Sequence, residues 1–547
     1  MANDAFALRF RVEELNRKLS GAKINKINQP NNGEIIMLLY VSGKSEKLIV
    51  SANANLGRVA FTDLVKENPK DAPSFCMLLR KHLTGGTILS VEQVENERIV
   101  KFTITCQNDF LESENKVLYA EIMGKYSNIV LTANGVVLGA IHQASIEEAR
   151  DRPVLSGIEY TLPKAQDKLP YDEIDFSLFT DGVDLASFLF NSVKGISYRT
   201  AQEIAYRYSL YGKPLKQTLR DFYSTPANPC VLIENGKPTE AFPFPYLSVS
   251  GEYEYFDDFL SAEKYLYDYK DDFKAFGEKY NSLFSVLSSH IRKVEKRLQI
   301  ISDKKNDCAD MELDKIKGEL LTANFYRIEN GQKYVILENY YDDYKPLKIT
   351  LDESLTVNKN AQRYYRKYNK QKRTLAAVEP QEKEAKDEYE YLLSVVDELK
   401  IATTPDDLAS IKEELVKTGL IVVTDKKKQK EKPSAPLTFD IDGFTFKVGK
   451  NNVQNDELVK TAKGNDVWLH AKTYRSAHGV FVCNGSEVPI ETIVKGAKII
   501  ARRSTGKAGT KVDVDYTLCR YVKKPTGAKP GFVTYTNFKT VTVNPTE

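Results

Sequence analysis

The sequence predicts a multidomain α+β protein organised around a long antiparallel coiled-coil arm, and three observations predict it. Stepping alternately by four and three from Tyr364 gives Tyr368, Gln371, Leu375, Val378, Glu382, Ala385, Tyr389, Leu392, Val396 and Leu399, apolar apart from Gln371 and Glu382, which is a heptad seam. A second heptad run, Leu287, Ile291, Val294, Leu298 and Ile301, continued by Ile316, Leu320 and Ala323, supplies a partner within the same chain. Short strand-like runs fill the regions before and after the two seams. At 1.5 Å per residue the first seam extends about 50 Å, longer than most domains are wide, so an arm is expected rather than part of a globular core. An intramolecular pair makes a monomer the expected state.

Taken in order, residues 1–170 read as a β-rich α+β domain. A helix over Leu8–Leu19 precedes strands at Glu34–Tyr40, Lys47–Ser51, Thr87–Gln93, Ile99–Thr105, Val117–Met123 and Ser127–Thr132, separated by Gly, Asn and Ser turns. Between them Phe75–His82 reads as a helix stopped by Gly85-Gly86. Residues 171–270 turn helical and aromatic, with Leu185–Val193, the turn Gly195-Ile-Ser197 and then Thr200–Tyr208 reading as a helix-hairpin-helix. Such a turn either presents backbone N–H groups to a phosphate or serves only as a packing unit. The stretch that follows, through Asp257-Asp258, is acidic and unsuited to a nucleic-acid backbone.

The split coiled coil covers 271–424. Its middle, about 325–356, reads as a β hairpin with Asn330-Gly331 as the turn signal, and Pro380 is expected to kink or divide the returning helix. Thr404-Pro-Asp-Asp407 is a capping box that opens a short helix closed by Gly419. Residues 425–436 read as a solvated linker. The last domain, 437–547, opens with a hairpin through Phe439, Ile441, Phe444, Phe446 and Val448. It continues with strands at Val467–Ala471 and Gly479–Cys483, a helix at Glu491–Arg503, and strands at Val512–Leu518 and Phe532–Thr536.

The net charge of +3 does not by itself call for a polyanionic partner, but its distribution is uneven. From Leu437 onward 17 Lys/Arg face 10 Asp/Glu, so the basic character is concentrated in the last domain. Six cysteines without a CxxC pair argue against a disulfide framework and a zinc knuckle. The start of the chain lacks the features of a secretory signal, and no apolar run approaches the ~20 residues of a membrane span, so a cytoplasmic protein with no membrane partner is expected. No Ser/His/Asp set, phosphate-binding loop or dinucleotide fingerprint is present, and neither catalytic residues nor a cofactor are expected.

Two groups of residues carry chemistry. In Asp466-Val-Trp468-Leu-His470-Ala-Lys472 the aromatic, imidazole and ammonium groups share one strand face, which suits stacking on a base while gripping phosphate; the other reading is a core tryptophan with a satisfied histidine. His470 and His478 lack the carboxylate or cysteine company of a metal site, so no metal is expected. Arg502, Arg503, Lys507, Lys511, Lys523, Lys524 and Lys529 supply a basic surface for RNA phosphate, or simply a solvated face. In the first domain, Glu97-Arg98 either pairs internally or offers a guanidinium to phosphate beside an acid that accepts from a base or ribose. Glu121–Asn128 links two strands nearby.

With these residues in view the chain resembles the NFACT family over essentially its whole length. In the N-terminal NFACT-N module the likeness rests on Asn25–Pro30, Phe75–His82, Arg98–Val100 and Glu121–Asn128. In the C-terminal NFACT-R module it rests on Val448–Asp456, Asp466–Lys472, Val514–Thr517 and Val522–Gly531. The resemblance implies a MutM-like β-rich N-terminal domain (1–170), the helix-hairpin-helix (171–270), the split coiled coil (271–424) and an α+β NFACT-R domain (437–547). It implies a ribosome quality-control factor that binds large ribosomal subunits obstructed by peptidyl-tRNA and recruits charged tRNA, alanyl-tRNA in the bacterial form. The ribosome then extends the nascent chain without mRNA, and the tail marks that chain for degradation. Carried over by position, the family's tRNA-binding residues fall on Asp4, Glu97, Arg98, Glu121, Ile122 and Met123. The rRNA contacts expected from the C-terminal module are Trp468, His470, Lys472, His478, Arg502, Arg503, Lys523, Lys524 and Lys529. Two departures stand out: Glu97 replaces the family's usual Asp, and Ser476-Ala477-His478 replaces Gly-Ser-His. A fibronectin-binding surface adhesin is the alternative that the family's older name suggests. MutM-type glycosylase chemistry is disfavoured because Met1, Ala2 and Asn3 stand where an N-terminal proline nucleophile and a glutamate are required.

Overall fold

A computed structural model describes residues 4–107, 112–145, 147, 152–164, 166–176, 184–422, 434–506 and 510–545. Met1, Ala2, Asn3, Lys507 and residues 425–433 of the expected linker lie outside the described residues. The chain forms two compact units, 1–274 and 275–547, and the helix Phe259–Asn306 runs through the boundary.

In the first unit nine antiparallel strands form one sheet. Across it run Arg58–Phe61, Lys44–Ser51, Glu34–Val41, Lys23–Asn31, Thr87–Gln93, Ile99–Gln107, Ser113–Glu121, Asn128–Ala133 and Val136–Ala140. The strand Lys23–Asn31 escapes period-two reading because its register slips between Ile24 and Lys26. Ile24 and Ile27, three apart, therefore both face the core. The first helix, Ala5–Leu19, is buried on several sides. Leu8, Val12, Leu15 and Leu19 enter the sheet core, Phe6 enters the aromatic core of the following helices, and Ala7 packs with Phe259, Ala262 and Leu266.

Leu185–Ser192 and Tyr198–Tyr211 form the expected hairpin of helices. The stretch after it holds a further helix, Leu215–Tyr223, and a three-stranded sheet of Lys237–Phe242, Cys230–Glu234 and Glu252–Tyr255. Glu252–Tyr255 buries no side chain, so its composition carries no strand pattern. Glu14 accepts from the backbone N–H of Phe259 (3.0 Å) and Leu260 (2.9 Å), capping the long helix at its start. Arg11 pairs with Glu263 and Arg58 with Asp271, each side chain at most 6% exposed, fastening that helix to the sheet domain.

In the second unit the seam is as expected: every position from Tyr364 to Leu399 is buried or half-buried, with Leu392 and Leu399 at 0% exposure. The two strands of the coil run antiparallel, since Glu295 meets Tyr389, Lys305 meets Glu382 and Asp314 meets Lys367. Ala323 is exposed and lies outside the seam. Val357–Ile401 is one uninterrupted helix despite Pro380. Pro380 and Ala376 are both exposed, which leaves the carbonyl deprived of its N–H partner beside solvent. The hairpin pairs Tyr334–Asn339 with Lys345–Thr350, and it turns at Asp343 and Tyr344, both left-handed, rather than at Asn330-Gly331. Asn330 instead accepts from the Val357 N–H at 3.1 Å, helping to start the returning helix. The capping box at Thr404 and Asp407 is present.

The C-terminal sheet has six antiparallel strands in the order Leu437–Ile441, Phe444–Val448, Gly479–Val482, Val467–Ala471, Val512–Leu518, Lys539–Val543. Helix Ile490–Arg502 packs on one face; Asn452–Thr461 lies toward the other. The latter helix buries Asn452, Gln454 and Asn455, an inverted pattern that hides it from hydrophobic reading. It docks on the arm, where Glu414 accepts from the Asn452 N–H at 2.8 Å and from the Tyr391 hydroxyl at 2.7 Å. No helix among the described residues is long and apolar enough to cross a membrane.

Candidate nucleic-acid interface

The residues expected to act in the first unit converge where the sheet meets the helix hairpin. Asp4 caps helix Ala5–Leu19 by accepting from the Ala7 N–H (2.9 Å). Its other oxygen accepts from the Ser197 N–H (2.7 Å) and the Thr200 hydroxyl (2.6 Å). Asp4 is 4% exposed, and burial raises its pKa despite these bonds. The carboxylate therefore occupies an N–H of the Gly195–Ser197 turn that a phosphate would otherwise use. Gly195 adopts φ +83°, and a Cβ there would approach Asn96 O to 3.0 Å and Ala5 Cβ to 3.2 Å. Only glycine fits that close approach.

This contact brings in the neighbouring turn. Glu95 and Asn96 are both left-handed, which folds the strand pair Thr87–Gln93 and Ile99–Gln107 back on itself and sets Glu97-Arg98 beside Lys194. Lys194 Nζ stands 3.3 Å from Glu97 Oε1. The Arg98 carbonyl accepts from the Ile122 N–H at 2.8 Å, so Ile122 is held next to it; Ile122 is buried and Met123 half-buried. The half-buried Arg98 side chain has no hydrogen-bond or ion-pair partner among the described residues. Lys168 completes the cluster: burial lowers its pKa most, Glu97 opposes that, and Arg98 adds to it. Three cations thus gather around one carboxylate.

Glu121 belongs to a separate bond set. It is 1% exposed, held by both terminal guanidinium nitrogens of Arg152 and by the Tyr160 hydroxyl at 2.9 Å. Its carboxylate is committed within the protein, and it places the Ile122-Met123 turn that follows. Lys168, Lys194 and Arg152 are absent from any motif reading because each lies far in sequence from the acid it meets.

In the C-terminal domain the structure separates the expected residues into two sets. Trp468 is 0% exposed, stacked on His470 at 5.6 Å and packed against Tyr535 and His478, so no base can stack on it; this replaces the stacking expectation with the core reading. Burial lowers the His470 pKa to about 4 and holds His478, 2% exposed, well below the usual imidazole value. Neither ring offers a cation at neutral pH. Arg503 is tied to Asp407 at 2.9 Å, and Arg502 donates to the Pro545 carbonyl. Lys524 pairs with Asp456. Lys472, exposed, lies over the Phe538 ring at 5.4 Å, and Lys523 and Lys529 are exposed without an ion-pair partner among the described residues. Ser476 of the departing loop accepts from the Ala471 N–H at 2.9 Å, giving the serine a local structural task. Among the described residues no group of three or more His, Cys, Asp or Glu forms a metal site.

Comparison with known proteins assigns the sequence to a family. Residues 4–434 match the model of the NFACT N-terminal and middle domains. The Rqc2 homolog RqcH of Bacillus subtilis (strain 168) is 36% identical, with 98% of this chain and 96% of that protein covered. The Rqc2 homolog RqcH of Streptococcus pneumoniae (strain D39) is 33% identical, with 100% and 98% covered. A solved structure of the N-terminal of the fibronectin/fibrinogen-binding protein from Streptococcus suis shares 27% identity, covering 48% of this chain and 98% of that chain at a TM-score of 0.43. With a family model spanning both its N-terminal and middle regions and relatives above 30% identity along its length, the chain belongs to the NFACT family.

Proposed function

We propose that this protein is a ribosome-associated quality-control factor that binds large ribosomal subunits obstructed by peptidyl-tRNA. It recruits charged tRNA, alanyl-tRNA, so that the ribosome extends the nascent chain without mRNA and the tail marks it for degradation. Kinship with proteins named Rqc2 homolog RqcH supports this reading. The observation that carries it is Arg98, a guanidinium without a partner among the described residues beside Glu97, Lys168 and Lys194. A guanidinium without a partner among the described residues, with ammonium groups beside it, suits a phosphate backbone, and the adjacent acid suits a base or ribose donor. The protein's task is positioning, and peptide transfer belongs to the ribosome.

In the C-terminal domain, Lys472, Lys523 and Lys529 take the rRNA-contact role. Asp4, Glu121 and Ile122 act as positioning residues. The decisive experiment purifies the protein with its bound particles and sequences the co-purifying RNA. Large-subunit rRNA and one enriched tRNA family are expected; a tRNA profile matching total cellular RNA sinks the recruitment claim.

A further inference from the structure

One groove in the C-terminal domain is not used by anything above. It has a volume of about 490 Å³ and opens beside the edge strand Lys539–Val543, on the sheet face opposite Trp468. Its floor follows from strand register. Val467 lies opposite Leu518, and Tyr516, two residues before Leu518, lies opposite Lys539; directly opposed residues in an antiparallel pair point to the same face. Val488 and Ile493 close the apolar side. An apolar floor, an aromatic ring and an ammonium group therefore line up in that order.

The rim is polar and open to solvent. The side chains of Asn465, Asn537, Tyr516 and Lys539 make no hydrogen bond or ion pair among the described residues. Glu487 is the carboxylate at the mouth. Pockets of a few hundred Å³ with apolar walls and a few convergent polar groups are the usual form of a small-ligand site. An apolar peptide side chain would use the floor but leave two amides and an ammonium idle. A nucleotide engages the floor, the amides and the ammonium: a base π face for Tyr516, edge donors and acceptors for the two amides, and a 5′ phosphate for Lys539. The domain's excess of 17 Lys/Arg over 10 Asp/Glu adds charge complementarity.

We propose that this groove takes one unstacked nucleotide, its base on Tyr516 and Leu518 and its phosphate at Lys539. The inference rests on the RNA-binding reading only for where the nucleotide comes from. The test uses the full chain and saturation-transfer NMR, with AMP, ribose 5-phosphate and an apolar blocked pentapeptide as separate probes. Saturation of the adenine protons is expected, with AMP binding about tenfold tighter than ribose 5-phosphate. Tyr516→Ala should weaken AMP about tenfold, Tyr516→Phe should stay within about twofold, and Val488→Trp, which fills the groove, should abolish the adenine signal. Circular dichroism confirms that each variant is folded, and Val488→Trp carries the loss-of-binding test if Tyr516→Ala is not.

Absence of adenine saturation, equal binding of AMP and ribose 5-phosphate, or binding of the peptide in place of AMP overturns the proposal. An unchanged Tyr516→Ala variant does the same. Co-sedimentation with large subunits, run in parallel, separates the two claims. Subunit binding without adenine saturation defeats the groove alone, and adenine saturation without subunit binding defeats the ribosomal reading alone.

Discussion

The junction at Glu97-Arg98 and the strand carrying Trp468 both present aromatic or charged residues in patterns that suit RNA, yet the protein uses them in opposite ways. At the junction two acids are consumed and one cation is left over: Asp4 and Glu121 are bonded internally, whereas the Arg98 side chain has no partner among the described residues. On the strand the rings are consumed, Trp468 being 0% exposed and its histidine neighbours held neutral, and only the lysines at the periphery remain available. Residue type suggests a site, but the satisfaction of each polar group decides which members of it reach a partner.

The largest loss is expected where the coiled-coil seam itself is broken. Leu392→Asp with Val396→Asp places two charges at positions 0% and 8% exposed, at a cost of several kcal/mol, about 3–5 for each carboxylate left unpaired. Thermal melting should show partial unfolding of the second unit, and subunit co-sedimentation should vanish.

Next in size, Asp4→Ala removes the helix cap and two further bonds in one step. It should destabilise the first unit by about 2–4 kcal/mol, read as a shift in its denaturant midpoint. Arg98→Ala should leave that midpoint nearly unchanged and lower tRNA recovery about tenfold while subunit binding persists. Equal loss of tRNA and subunit binding would mark Arg98 as structural and erase the contrast with Asp4.

On the strand the expected signature is pH. Burial lowers the His470 pKa to about 4 from an ordinary value near 6.5, so the unfolded chain binds the proton first as pH falls. The stability is present above pH 6.5 and is lost as pH drops toward 4. Between pH 7 and 5 the loss is about 2 kcal/mol for His470. His478, shifted in the same direction, adds to it. Guanidinium unfolding followed by Trp468 fluorescence at the two pH values measures the effect. The smallest change belongs to the exposed lysines: Lys523→Ala with Lys529→Ala should cost only about threefold in affinity for large-subunit RNA. The salt dependence of that affinity should flatten by about one unit for each phosphate that is no longer neutralised.

Much of the architecture was legible in the sequence, because the strongest periodicities belong to elements with one apolar face. The seam from Tyr364 to Leu399, the capping box at Thr404 and the strands at Val467–Ala471 and Val512–Leu518 all appear where pattern puts them. The failures have physical causes. A bulge hid the strand at Lys23, buried amides hid the helix at Asn452, and a solvent-facing turn let Pro380 pass without dividing its helix. The site was legible as a set of residues but not as a set of roles. Lys168 and Lys194 meet Glu97-Arg98 only through the docking of Gly195 on Asn96, and no spacing encodes that contact.

If the guanidinium of Arg98 at this junction recruits tRNA to an obstructed large subunit, removing it should separate tRNA from the particle without releasing the protein. Sequencing the RNA bound to particles purified with the wild-type protein and with Arg98→Ala measures this. One tRNA family should be enriched on wild-type particles and about tenfold depleted on the variant, at equal recovery of large-subunit rRNA. Equal tRNA enrichment on both, or none on either, would contradict the recruiting role of the junction.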